Sequence, residues 1–462
     1  MKTFSLALRN LLRNRRRSLT TLLAMIIGLV AVLIFGGYRS NITYGMQTGF
    51  VQGSGHLQIQ HKDYFLDGSD NPTAYGIPKY QRLIDVVKHD PVLAPMLTVV
   101  TPTLQLGGIA GNFAGGVSRS VIALGVVVEE RNRMLSWNDY GLTSYAHLLP
   151  LSGTSQDAVV VGSGVARKLK LCNVLKVPNC QQAPMLASAD GKPAPDDILA
   201  LSALEKTEHP QEDETRIEML AATAHGAPNV ASLSVVKAEN MGIKAVDDVY
   251  LAMHLSQAQK LIYGTAPPQV TAVQIQLQHT SQIPAAQARL AQLLATTFKA
   301  EPLEILDFRA LNPLYGQTVQ FMNSMFGFIA VLIGVIVLFT IGNTMSTAVV
   351  ERTVEIGTLR AMGLRRSGIL RLFMCEGILL GLIGAVTGLL CALLISTLIN
   401  HSGLTWTPPG YSYAYLLLVR VWQDTNLVIG SVIGLMIVTV ISAWWPASRA
   451  AKLMIVDALR HV

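Results

Sequence analysis

The chain has 462 residues, half of them hydrophobic and only 14% charged, with a formal net charge of +7. Average soluble domains carry roughly 25% charged residues, so the composition points to a membrane protein rather than a soluble one. Nor does the positive charge read as a nucleic-acid footprint: the cations sit at the ends of apolar runs, in 2–17, 352–371 and 449–460, where basic residues mark the cytoplasmic side of membrane spans.

Residues 1–18 read as an amphipathic helix on the cytoplasmic membrane face. Phe4, Leu8, Leu11 and Leu12 fall on one face, and Arg9, Arg13, Arg15, Arg16 and Arg17 on the rest. The apolar run that follows, 19–38, is longer than the 7–15 residues of a signal-peptide core, and no convincing small-x-small cleavage site ends it. It is expected to be an uncleaved first transmembrane helix, with 40–53 continuing it as a stalk. From 39 to 317 no run is apolar enough to cross a bilayer, so this stretch is expected to be one large periplasmic insert.

Inside the insert, the alternation in 55–61 and 270–278 has the period of half-buried strands. Strands are also expected at 97–106, 117–128, 230–238 and 248–253, and helices at 80–88, 256–263 and 284–297. Residues 159–171 run from a short β segment across Gly162 and Gly164 into an amphipathic helix. Between 178 and 228 Ala, Pro, Asp and Glu rise and large apolar residues thin out, which reads as an extended insertion. The domain is therefore expected to be α+β, with a second subdomain at about 155–250. Three further spans follow, at 318–345 (with a helical approach from about Leu311), 369–399 and 427–445. They are joined by a charged segment at 349–366 and an external loop at 400–424, and a cytoplasmic tail occupies 446–462. Four spans with both termini cytoplasmic bring all three arginine clusters inside. The fold class is thus a membrane protein with four transmembrane α-helices and a large α+β periplasmic domain inserted between the first and second.

Few residues suggest catalysis. No GxxxxGK[ST] phosphate loop, GxSxG elbow or HExxH pair is present. His56, His61 and Asp63 invite a metal reading, but surface positions on a strand are the plainer one. Gly162-Ser-Gly164 is too short for a dinucleotide fingerprint and reads as a turn. Cys172 and Cys180 lie eight positions apart in the polar region, where an extracytoplasmic setting would permit a loop-closing disulfide; a metal pair lacks a second Cys or His pair nearby. Gly377/Gly381 and Gly384/Gly388 in the third span, and Gly430/Gly434 in the fourth, have the spacing of close helix packing. Glu376, the acid within an apolar run, is expected to form a structural pair or snorkelling contact beside Arg371.

The segment ERTVEIGTLRAMG, 351–363, is helix-prone and lies between two spans. Glu351 and Glu355 are one turn apart and share a face, which suits a basic or polar groove on a partner; a solvated loop is the bland alternative. This stretch resembles the cytoplasmic signature of the FtsX-like/MacB-like permeases of type VII ABC transporters. The similarity is carried by Glu351, Arg352, Thr353, Glu355, Ile356, Gly357, Leu359, Arg360, Ala361, Gly363, Arg366 and Ile369. The ending PASRAAKLMIVDALRHV and the leader LALRNLLRNR resemble the same family, as do 159–171 and, loosely, 250–262 within the insert.

The resemblance implies that 351–363 is a coupling helix, with Glu351, Arg352, Glu355, Gly357, Arg360 and Gly363 meeting a separate ATPase. Two ATPase copies and a second permease, identical or paralogous, would complete the unit in the bacterial inner membrane. ATP and magnesium would sit on the ATPase, and this chain would bind no cofactor and catalyse nothing. ATPase closure would be relayed mechanically to the periplasmic domains. The proline and aromatic loop 405–415 resembles the lipoprotein-releasing Lol-type branch, which implies an amphiphilic or lipidated cargo beside membrane lipid. A periplasmic adaptor, chaperone or lipoprotein would be a further partner, and nucleic acid none. The alternative is an FtsX-type activator of a periplasmic enzyme such as a cell-wall hydrolase, without transport.

Overall fold

A computed structural model describes residues 7, 9, 13, 15–68, 71–113, 115–142, 148–178, 180, 215–407 and 414–454. It contains two compact units. One comprises Met1–Gly45, Leu314–Trp406 and Tyr415–Val462; the other comprises Met46–Pro313 and Thr407–Ala414. Of the expected amphipathic leader, Ala7, Arg9 and Arg13 are helical, whereas Phe4, Leu8, Leu11 and Leu12 lie outside the described residues.

Helix α1 runs unbroken from Arg15 to Ser54. Its 40 residues rise about 60 Å, twice the ~30 Å hydrocarbon thickness, so the apolar run 19–38 accounts for only half of it and the helix continues well beyond that run.

The strands of the second unit are β1 (Leu57–His61), β2 (Leu97–Asn112), β3 (Val117–Val126), β4 (Ala158–Gly162), β5 (Arg216–Ala222), β6 (Pro228–Glu239), β7 (Tyr250–His254), β8 (Ala272–Leu277) and β9 (Leu303–Asp307). Its principal helices are α2 (Tyr80–His89), α3 (Val128–Leu135), α4 (Ser163–Lys168), α5 (Lys244–Asp247), α6 (Leu255–Tyr263) and α7 (Ile283–Thr297).

Strand β2 is the branch point of one nine-stranded sheet. Its first half pairs with β8, which pairs with β1, which pairs with β9, all antiparallel. Its second half pairs with β3 and β5, and from there the ladder returns on itself: β3 with β7, β7 with β4, β4 with β6, β6 with β5. Six strands therefore close into a ring that leaves them no free edge. Helix α6 touches β2, β3, β5, β6 and β7. A side chain on Gly125 would collide with it, because a Cβ there would stand 2.4 Å from that of Ala258.

This closure corrects the expected second subdomain at 155–250. Strands β4 to β7 do not fold apart; they need β2 and β3 to complete their hydrogen bonding. The expected insertion 178–228 is corrected as well. Residues 181–214 lie outside the described residues, but Arg216–Ala222 is a ring strand in which every second residue is buried. Strand β9 and helix α3 also went unread, being short and flanked by stronger signals.

The membrane unit continues with α8 (Pro313–Glu351), α9 (Thr353–Ala361), α10 (Arg366–His401) and α11 (Thr425–Lys452). With α1, helices α8, α10 and α11 are each long and apolar enough to span a bilayer. The chain is thus a four-span membrane protein with an α+β domain between its first and second spans. Met25 and Leu29 of α1, Val337 and Ile341 of α8, Leu380 of α10 and Leu435 of α11 share one core cluster. Helix α11 does not stop at Trp445 but passes through Pro446 to Lys452. The donor that proline lacks would have met the carbonyl of Ser442. Tight packing of Ala447, Ala450 and Ala451 holds the last turns helical beyond it.

Candidate functional site

The signature segment folds as α9, a helix of nine residues between two spans. Its C-terminal end is fixed by Gly363, whose φ of +97° few side chains adopt. Two backbone bonds, Leu364 N–H to Leu359 O and Gly363 N–H to Arg360 O, complete the paired-bond helix stop that such a residue permits. Arg360 donates to the carbonyl of Leu453, tying α9 to the segment just past α11.

The buried face of α9 carries Thr353, Ile356 and Gly357. Ile356 joins Val349, Ile369, Phe373, Ala447, Ala450 and Ala451 in a cluster at the ends of α8, α10 and α11. Just before α9, Arg352 turns inward. Its guanidinium donates to both carboxylate oxygens of Glu376, at 3.1 and 3.3 Å, with side-chain exposures of only 9% and 4%. Glu376 thus forms the expected structural pair, with Arg352 as its partner, while Arg371 is exposed on α10. Arg352 in turn is not on the outward face of the segment; it is a tie between that segment and the third span.

The outward face presents Glu351, Val354, Glu355, Thr358 and Met362, followed by Arg365 and Arg366. Glu355 accepts from Arg13 of the leader at 2.5 Å, both side chains more than half exposed. An open cleft of about 380 Å³ lies here, lined by Arg13, Val354, Glu355, Thr358, Met362 and Phe373 among others. The signature positions thus divide into an inner set that fixes the helix (Arg352, Gly357, Gly363) and an outer set exposed on the surface (Glu351, Glu355). Arg360 is partly buried between the two.

The glycine pairs divide similarly. Cβ atoms placed at Gly377, Gly381, Gly384 and Gly388 would stand 2.7 Å from Ala443, 3.0 Å from Thr439, 3.0 Å from Met25 and 3.1 Å from Leu29. The first pair therefore packs on α11 and the second on α1. Cβ atoms at Gly430 and Gly434 would meet nothing within 4 Å among the described residues.

Cys172 and Cys180 are disulfide-bonded, with Cα atoms 5.9 Å apart. His56 is fully buried; its Nδ1 accepts from the amide of Leu277, and its ring meets the edge of Trp137. His61 bonds the carbonyl of Lys62. Neither His61 nor Asp63 joins His56 in a ligand cluster, and among the described residues no group of three potential metal ligands occurs. Gly162 and Gly164 are close-approach positions: Cβ atoms there would stand 2.4 Å from the carbonyl oxygen of Asp247 and 2.2 Å from Oδ1 of Asp248.

One structural feature had no clear sequence signal. The C-terminal end of α1 is gripped from all sides: Arg131 donates to the carbonyls of Gln52 and Gly53, at 3.2 and 2.6 Å. Gln276 donates to Val51 O and Met134 O, and Gln52 to Trp137 O. A cation at a helix C-terminus is stabilised by the dipole there.

The sequence profile of the FtsX-like permease C-terminal family matches residues 327–455, the stretch holding α9 and most of spans two to four. This chain carries an FtsX-like permease domain. An uncharacterized ABC transporter permease, MJ1507, of Methanocaldococcus jannaschii is 33% identical over 132 residues, 29% of this chain and 30% of its own. The lipoprotein-releasing system transmembrane protein LolC of Neisseria meningitidis is 24% identical over 168 residues, 36% of this chain and 39% of its own. The macrolide export ATP-binding/permease protein MacB of Bordetella avium is 29% identical over 175 residues, 38% of this chain and 25% of its own. The matched stretches span between a quarter and two fifths of these relatives. The homology is to ABC permeases.

Proposed function

We propose that this FtsX-like permease couples ATP hydrolysis by a separate ATPase subunit to movement of its extramembrane domain. That motion would extract or expel a hydrophobic or lipidated substrate. The observation that carries the reading is the two-sided construction of α9. Its inner side is locked to the third span through Arg352–Glu376 and the Ile356 cluster, and its outer side offers acids beside an open cleft. A helix anchored this firmly moves with the spans when a partner pushes on it. In this reading α9 and both termini face the cytoplasm, and α1 and α8 carry the push across the membrane. The Arg131 grip on the end of α1 supports the reading, because a rod transmits force only if its far end is held. The likeness to LolC motivates the choice of a lipidated cargo.

The test is charge reversal on the outer face. Glu351→Lys and Glu355→Lys should abolish substrate-stimulated ATPase in the reconstituted complex while the permease stays folded. Loss of the exposed Arg13–Glu355 pair costs at most about 1 kcal/mol. Undiminished coupled ATPase and transport in both variants would overturn the assignment.

A further inference from the structure

Helix α11 carries a graded row of surface side chains. Ile429, Ile433, Ile437, Ile441, Trp445 and Arg449 recur every four residues, and the first five are each more than half exposed. Positions four apart form one continuous ridge on a helix surface. Trp444, equally exposed, stands beside Trp445, and the exposed Lys452 follows Arg449 at the i,i+3 spacing that puts two side chains side by side. Along one direction the row passes from aliphatic to indole to cation.

The length of the row fixes the depth of each class. Asp424 caps the start of α11, and the rise from there to Arg449 is about 38 Å at ~1.5 Å per residue. That exceeds the ~30 Å hydrocarbon thickness and falls just short of the ~40–45 Å that includes the headgroups. The charges at the two ends therefore lie in the headgroup layers, the isoleucines in hydrocarbon, and the two indoles at the boundary that tryptophan favours.

A plain aromatic belt would account for the tryptophans, but not for the way the cations are held. The guanidinium of Arg449 lies 3.9 Å from the centroid of the Trp445 ring. Held over that ring, it is fixed in place while its N–H edge stays open to hydrogen bonding. None of the ion pairs among the described residues uses Arg449 or Lys452. Arg360 of α9 reaches the same end of α11 but donates to the carbonyl of Leu453. A guanidinium edge and an ammonium one turn apart, with no carboxylate between them, match the oxygens of a phosphate. A zwitterionic headgroup would bring its own cation against these two; an anionic headgroup would not.

We infer that the C-terminal end of α11 is a binding site for the phosphate of an anionic phospholipid. The acyl chains lie along the isoleucine row and the glycerol region rests against Trp444 and Trp445. Arg449 supplies a forked donor and Lys452 a point charge to the same headgroup. The inference rests on α11 alone and not on the transport reading.

The test places the full chain in nanodiscs of equimolar phosphatidylglycerol and phosphatidylcholine with matched acyl chains. Native mass spectrometry then reads which lipid stays on the 49.9 kDa chain after release from the disc. The wild-type chain should retain phosphatidylglycerol in preference. A cation near an anionic membrane surface changes affinity about fivefold, so Arg449→Gln and Lys452→Gln should each lower the preference by about that factor. Arg449→Lys, which keeps the charge, should retain most of it. Arg371→Gln, which removes an exposed cation on α10, should leave it unchanged. Equal retention of the two lipids by the wild-type chain would overturn the proposal. So would an equal loss in Arg371→Gln, because the attraction would then belong to the basic surface at large. Displacement of the retained lipid by inorganic phosphate would overturn it too, since the site would then select a free anion rather than a lipid.

Discussion

Arg352 and Glu376 are a buried ion pair whose net contribution to stability is small but whose halves are costly alone. Arg352→Met removes the cation paired with the buried Glu376 carboxylate and should destabilise the membrane unit by about 3–5 kcal/mol. The double variant Arg352→Met/Glu376→Met should recover most of that. Thermal unfolding in detergent across the four members of the cycle measures it, and an additive double variant would show that the pair does not act as a unit. A second residue-scale prediction concerns His56, whose pKa burial pushes down to about 4 from 6.5. Between those values the unfolded chain binds more protons than the folded one. Stability is therefore fully present above about pH 6.5 and lost as pH falls through about 4, up to about 3 kcal/mol in all. Protonation of Nδ1 removes the acceptor of the Leu277 amide. Hydrogen exchange at that amide, corrected for intrinsic rate, should accelerate over the same window; a flat profile would refute the coupling.

Among the elements, α10 owes its position to small residues on two sides, Gly377/Gly381 toward α11 and Gly384/Gly388 toward α1. Gly377→Val should force α10 and α11 apart and destabilise by about 1–3 kcal/mol, the usual effect of overpacking. Gly434→Val, with open space at its Cβ, should leave the melting temperature unchanged. Equal losses in the two variants would mean that helix propensity, not packing, governs both. Spacing alone could not separate these pairs: all have the same i, i+4 pattern, and only the neighbouring helix decides which of them faces protein. The same applies to the ring. The alternation in Arg216–Ala222 was present in the sequence, yet its composition resembled the adjoining polar insertion, and only pairing with β2 and β6 makes it a strand.

For the molecule as a whole, the disulfide gives a compartment test. Labelling of thiols in the denatured, unreduced chain should find two, Cys375 and Cys391, and four after reduction. Four before reduction would place the α+β unit in a reducing compartment and invert the topology. Four spans, an uninterrupted polar domain between the first and second, and a charged helix between the second and third were all legible without coordinates. Hydrophobic run length and terminal charge respond to the bilayer, a solvent whose demands are the same for every chain. What needed the tertiary structure was the direction in which individual residues face. Arg352 looked like one more cation on an outward helix until Glu376, 24 positions away, was seen to take it inward. Arg131 carries no local signal of its contact with the end of α1, 78 positions away from Gly53. β2 reads as one strand in sequence, yet its two halves take different neighbours, β8 on one and β3 and β5 on the other. Each of these is a contact between residues distant in sequence, which local periodicity does not encode.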